Sequence, residues 1–254
     1  CICAVATIGY FFIGGFLSVS WTDTIQASLM IFALLLTPIV TLMAFADMSK
    51  VTLALEAARP HATDVMGHLE WVAILSLLAW GLGYFGQPHI LVRFMATDSV
   101  KSIPNARRIG MTWMILCLGG AVAAGFFGIA YFQQHPELAG VVNANPETVF
   151  MELTKILFNP WVAGIVLAAI LAAVMSTLSC QLLVCSSTLT EDFYKSFLRK
   201  NASQQELVWV GRLMVLMIAL LAIWMAGNPE SKVLGLVAYA WAGFGAAFVP
   251  LIIL

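Results

Sequence analysis

The sequence predicts an all-α bundle of membrane-crossing helices, and three observations carry that expectation. Hydrophobic residues make up 61% of the 254 and charged residues only 10%, whereas a water-soluble domain carries roughly a quarter charged residues to cover its surface. Mean hydropathy is +0.95. The gaps between charges repeatedly reach the ~20 apolar residues that a helix needs to cross a bilayer core. These runs are continuous, where a membrane strand would alternate, so helices are expected throughout. A net charge of −1 offers no basic face to nucleic acid.

Taken in order, residues 1–17 read as the tail of a first span. Residues 25–45 form a second, with Pro38 inside it, and 71–92 form a third between Glu70 and Arg93. The fourth, 109–132, holds no charge, and the fifth, 161–187, sits in the uncharged stretch between Lys155 and Glu191. Residues 207–226, with Arg212 near the start, and 233–254 complete a single transmembrane domain over 1–254. The connection 133–158 is expected to hold a short surface helix near Glu147–Leu157.

Basic residues orient the bundle, because cytoplasmic loops carry the excess of Lys and Arg. Arg93, Lys101, Arg107 and Arg108 crowd one short loop, and Lys195, Arg199, Lys200 and Arg212 mark another. The alternate loops hold only Lys50, Arg59, Lys155 and Lys232, diluted by acids such as Asp47, Asp64 and Glu137. Loops 93–108 and 189–206 are therefore expected in the cytoplasm, with the turn 14–24 by alternation. Loops 46–70, 133–158 and 227–232 are expected outside. The acceptor-like Asn201-Ala202-Ser203 then sits on the cytoplasmic side and reads as chance.

Cysteines 1, 3, 117, 180 and 185 show neither a CxxC pair nor Cys/His spacing, so no zinc site or disulfide framework is suggested. His61, His68 and His135 have no partner spacing. No nucleophile–base pair, phosphate loop or metalloprotease motif occurs, so an enzyme is not expected. The chain starts without methionine and stops within an apolar run, which reads as part of a longer protein.

Three segments depart from plain membrane-helix sequence. In the third span, Gly81, Gly83 and Gly86 precede Gln87-Pro88-His89. Glycine relaxes the backbone and proline removes a donor, so the helix is expected to break there, with Trp80 and Tyr84 flanking the break. Free backbone groups at membrane depth are tolerated only when buried in protein or lining a cavity, and transporters build binding sites on such breaks. A simple proline kink with interfacial aromatics fits the same residues.

In the fifth span, Ala173, Ser176, Thr177 and Cys180 share one narrow face. Two hydroxyls and a carbonyl are oxygen ligands of the kind small hard cations prefer, and the lack of a nearby carboxylate favours a monovalent ion. Close helix packing, with hydroxyls bonded back to the preceding turn, explains the same pattern. At 20–26, Asp23 with Gln26 reads as an N-cap and its capping-box partner at the mouth of the second span. An acid gating an ion path is the functional alternative. Gly120, Ala124 and Gly128, spaced by four, read as a close-packing face.

These residues carry a resemblance. Gly14-Gly15-Phe16-Leu17-Ser18-Val19-Ser20-Trp21-Thr22-Asp23-Thr24-Ile25-Gln26 resembles the signature of the sodium/solute symporter family. The stretches from Trp80 to His89 and from Ala172 to Cys180 are similar to its proline-carrying bacterial members almost residue for residue, and the likeness runs through the whole chain. It implies a leucine-transporter-like fold of two inverted five-helix repeats, here the end of the first and most of the second. It also implies a secondary active transporter of the bacterial inner membrane, embedded in the lipid bilayer, that couples proline to sodium. Carried over, Ala173 offers sodium its carbonyl, and Ser176 and Thr177 their hydroxyls. Trp80, Tyr84 and Pro88 contact proline, and Asp23 serves coupling. The family completes both sites with another broken helix, which lies outside these residues, so this stretch alone is not expected to transport. A symporter-like sensory domain fused to a histidine kinase, or a sodium symporter for another small solute, is the rival expectation.

Overall fold

In a computed structural model of the chain, residues 2–45, 48–58, 64, 69–226 and 233–253 are described. Every regular element among them is helical. The long helices are α1 (Ile2–Met43), α5 (Ile103–Gln134), α8 (Pro160–Ser187), α9 (Gln204–Met225) and α10 (Val233–Ile253). Shorter ones are α2 (Met48–Ala58), α3 (Trp71–Ala79), α4 (Pro88–Met95), α6 (Gly140–Ala144) and α7 (Val149–Leu157). The segments Leu17–Met43, Val100–Gln134, Pro160–Leu198 and Gln204–Met225 are long and apolar enough to cross a membrane, and Trp71–Gly86 and Val237–Leu251 are shorter apolar helices.

The first two expected spans differ from the sequence reading. No turn interrupts 14–24; the backbone from Ile2 to Met43 is one helix. Hydroxyls in and beside this stretch bond back within the helix. Thr22 Oγ1 donates to the carbonyls of Ser18 (2.9 Å) and Val19 (3.0 Å). Ser28 Oγ donates to the Thr24 carbonyl at 2.9 Å. Such hydroxyls satisfy themselves on the preceding turn, the alternative to capping a new helix, and the helix tolerates Gly14 and Gly15 at about 1 kcal/mol each. Asp23 and Gln26 are accordingly interior to α1, and the expected N-cap at Asp23 is not formed.

Contacts gather in two compact units, one of residues 1–22, 69–103 and 175–254, the other of residues 23–68 and 104–174. In lipid no hydrophobic drive remains between apolar helices, so close packing of small residues decides which faces meet. The second unit shows this along the expected small-residue face of α5. Gly120, Ala124 and Gly128 are all buried. A Cβ on Gly120 would sit 2.5 Å from the Leu34 carbonyl oxygen, and one on Gly128 would lie 2.6 Å from Val149. Trp113 Nε1 reaches across to donate to the Ala27 carbonyl at 3.2 Å. The remainder of this unit packs Ala33 with Val166 and Ala169, and Val51, Ala54 and Leu55 of α2 with Ala130. Helix α2 lies in what the sequence offered only as a loop. Helix α7 occupies the expected place of the surface helix and buries Leu153 against Phe132 and Ala139.

The first unit is built round Val19, Leu182, Val215 and Ala219, with Ile8, Leu178 and Ile218 packed on them. Helix α8 continues past Ser187 as a π-helix over Thr188–Leu198. Its end is tied to α9: Tyr194 Oη donates to Glu206 at 2.7 Å, and Arg199 lies 3.5 Å from the same carboxylate. Ser203, part of the glycosylation-like triplet, serves as N-cap of α9 and accepts the Glu206 N–H.

Candidate functional site

The third span breaks where the glycines and proline place it. Helix α3 ends at Ala79, a tight 3₁₀ segment runs Leu82–Gly86, and α4 restarts at Pro88. Proline at the first helical position has no N–H to lose, and Gln87 before it is held extended at ψ 113°, as the residue before proline prefers. The interruption leaves carbonyls without their usual partners four residues on. Gln87 repairs one of them: its side chain, only 5% exposed, donates through Nε2 to the Gly83 carbonyl at 3.2 Å.

Helix α10 closes over the break. Trp241 Nε1 donates to the Trp80 carbonyl at 3.0 Å, an oxygen that also takes the Gly83 N–H at 3.2 Å. The Trp241 ring stacks on Trp80 at 6.2 Å and 27° and meets Tyr84 edge-on at 4.9 Å and 88°. The glycines make this approach possible. A Cβ on Gly83 would run into the Trp241 indole, and one on Gly86 into the Phe244 carbonyl. Beside the break, between α3 and α10, lies an apolar cavity of about 550 Å³ bordered by Ser76, Trp80, Gly83, Trp241, Ala242 and Val249. Trp80 and Tyr84, expected to flank the break, therefore converge on one indole from α10; Pro88 begins α4 and is half-buried.

Helix α4 docks on α8. Arg93 Nη2 donates to Cys180 Sγ at 2.6 Å, and the Gln181 amide lies 3.1 Å from His89 Nδ1. Thr177 precedes Gln181 by four residues and Ser176 precedes Cys180 by four, so each pair shares a face of α8. The hydroxyl pair is thus one turn before the docking contacts, on the same flank. Ala173 and Ser176 are half-buried and Thr177 is exposed on α8. The Ser176 carbonyl accepts the buried Ser179 hydroxyl at 2.9 Å. Asp23 is half-buried within α1. Among the described residues no three His, Cys, Asp or Glu side chains gather as a metal site.

Sequence reasoning missed Trp241, Gln87, Gln181 and His89 as parts of this arrangement. Gln87 and His89 stood inside the glycine–proline motif, where a buried amide beside freed carbonyls was a readable signal. Trp241 gave none, since tryptophan is ordinary in membrane helices.

The sequence matches the family described as "Sodium:solute symporter family" over residues 1–254. It is 67% identical over 250 residues to the sodium/proline symporter of Escherichia coli (strain K12), covering 98% of this chain and 50% of that protein. It is 50% identical over 247 residues to the high-affinity proline transporter PutP of Bacillus subtilis (strain 168), covering 97% of this chain and 51% of that protein. The chain thus spans about half the length of the curated relatives it matches. Among solved structures, the substrate-bound outward-open state of a Na+-coupled sialic acid symporter is similar with a TM-score of 0.74 and 23% identity. That likeness covers 95% of this chain and 53% of the other, and it shows the fold.

Proposed function

The chain belongs to the sodium:solute symporter family, and from that premise we propose that the protein carrying it moves L-proline across the bacterial inner membrane together with sodium. Sodium is held on α8 by the Ser176 and Thr177 hydroxyls and the Ala173 carbonyl. Proline is held at the break by Trp80, Tyr84 and Pro88, its ring against aromatic faces. Asp23 serves coupling. Sodium favours the outward-open state, proline follows, and both are released inward as the protein changes access. Each sodium carries one charge, worth about 2.3 kcal/mol per 100 mV of membrane potential, which supports accumulation of the neutral zwitterion.

One observation carries this reading: the interrupted helix is bonded, through His89 and Arg93, to α8 at Gln181 and Cys180, one turn beyond the hydroxyl pair. A ligand ordering the break and an ion ordering α8 then act on the same joined elements. The relatives named above are transporters, which favours this over the sensory-domain reading. The test is uptake of labelled proline by the full-length protein in liposomes, with and without a sodium gradient and with competing solutes. Ser176→Ala and Thr177→Ala should each raise the sodium concentration for half-maximal uptake. Tyr84→Ala should weaken proline binding more than sodium binding. Unchanged sodium dependence in both hydroxyl variants would reject the ion site, and absence of sodium-dependent proline uptake by the wild-type protein would reject the substrate.

A further inference from the structure

We propose that Trp241 of α10 is a positioning residue for the proline site, holding Trp80 and Tyr84 in their orientations and so setting which ring size the site accepts. This rests on the carrier reading above. Three contacts converge on the one indole. Its Nε1–H is donated to the Trp80 carbonyl at 3.0 Å, which ties α10 to the last turn before the break. Its ring lies nearly parallel to Trp80, at 27°, and nearly perpendicular to Tyr84, at 88°. Two rings otherwise free to turn about their own side-chain bonds are thereby set at a large angle to each other. Third, the indole rests on Gly83, where any side chain would collide with it, and a Cβ on Gly245 of α10 would come within 3.4 Å of the Gly83 Cα.

The seat is specific to a flat ring with a donor at its edge. Phenylalanine keeps an aromatic surface over Gly83 but gives up the bond to the Trp80 carbonyl. That carbonyl then keeps only the Gly83 N–H at 3.2 Å, the closing bond of a tight turn. Trp80 and Tyr84 lose their shared reference and the space they define becomes less exact in width. An apolar site discriminates a single methylene by roughly 10–200-fold when its walls are rigid. Loosened walls give that discrimination up before they give up binding.

The experiment uses the full-length protein in liposomes with a sodium gradient. It measures half-saturation for proline and for sodium, maximal rate, and inhibition by the four- and six-membered-ring analogues of proline. Trp241→Phe is expected to raise half-saturation for proline about tenfold, the equivalent of one lost hydrogen bond. Half-saturation for sodium stays within about twofold, and the preference for the five-membered over the six-membered ring falls along with the proline affinity. Trp241→Ala goes further in the same direction; should it fail to reach the membrane, Trp241→Phe alone decides. Unchanged proline half-saturation and ring preference in Trp241→Phe overturn the proposal. So does a drop confined to maximal rate, or an equal weakening of sodium and proline, because a merely structural tryptophan would give either. A wild-type protein that takes up no proline sinks the substrate reading and this inference with it, whereas normal wild-type uptake with an unmoved variant sinks this inference alone.

Discussion

Two neighbouring glycines on α5 should respond in opposite ways to the same added methyl group. Around Gly119 nothing lies within 4 Å of an added Cβ, so Gly119→Ala changes only the helix itself and stabilises by about 1 kcal/mol. One residue on, the Cβ of Gly120→Ala would stand 2.5 Å from the Leu34 carbonyl oxygen and 3.0 Å from its carbon. The obstacle is backbone, which cannot swing aside as a side chain would, so α1 and α5 must separate. Overfilling a packed site costs about 1–3 kcal/mol, and the rigid obstacle argues for the upper end. Less the same helix gain, Gly120→Ala should destabilise by about 2 kcal/mol. The two variants should differ by about 3 kcal/mol, roughly 100-fold in the folding equilibrium. Reversible unfolding of the full-length protein in mixed micelles, followed by far-ultraviolet circular dichroism, measures the difference. Stabilities agreeing within about 0.5 kcal/mol would refute the idea that α5 meets α1 through a backbone-to-backbone approach at Gly120.

Gln87→Leu removes the buried amide that serves the Gly83 carbonyl; leaving a buried acceptor short costs about 1–3 kcal/mol. The same unfolding assay should show that loss, and an unchanged midpoint would mean the break satisfies its carbonyls without Gln87. Ser203→Ala removes the acceptor for the Glu206 N–H at the start of α9 and should cost about 1 kcal/mol. Ser203→Asp should restore stability, and a loss in both variants would show that the cap is not what matters there.

The glycine–proline motif was legible because each residue acts on its own backbone: Pro88 lacks the N–H that an interior turn would use and suits the first position of a helix, and Gly83 and Gly86 admit close neighbours. Helices 103–134, 160–187, 204–225 and 233–253 were legible for a similar reason, since apolar length is a local property that the bilayer reads directly. The membership in a symporter family was legible from the resemblance of the stretches 14–26, 80–89 and 172–180 to that family. The turn expected at 14–24 and the cap expected at Asp23 were misread, and instructively. The Thr22 and Ser28 hydroxyls can cap a helix or bond back within one, and which they do depends on whether the chain continues straight.

What the sequence determined by itself is the class of the molecule: apolar helices for a bilayer, one of them broken, another bearing paired hydroxyls. Tertiary structure alone decided that α1 runs unbroken from Ile2 to Met43, that Trp241 covers the break, and that His89 and Arg93 meet α8 at Gln181 and Cys180. The physical reason is range. Hydropathy and backbone freedom are written residue by residue, but in lipid every helix surface is about equally apolar, so the choice of which faces meet rests on shape and on a few polar contacts between residues as many as 161 positions apart.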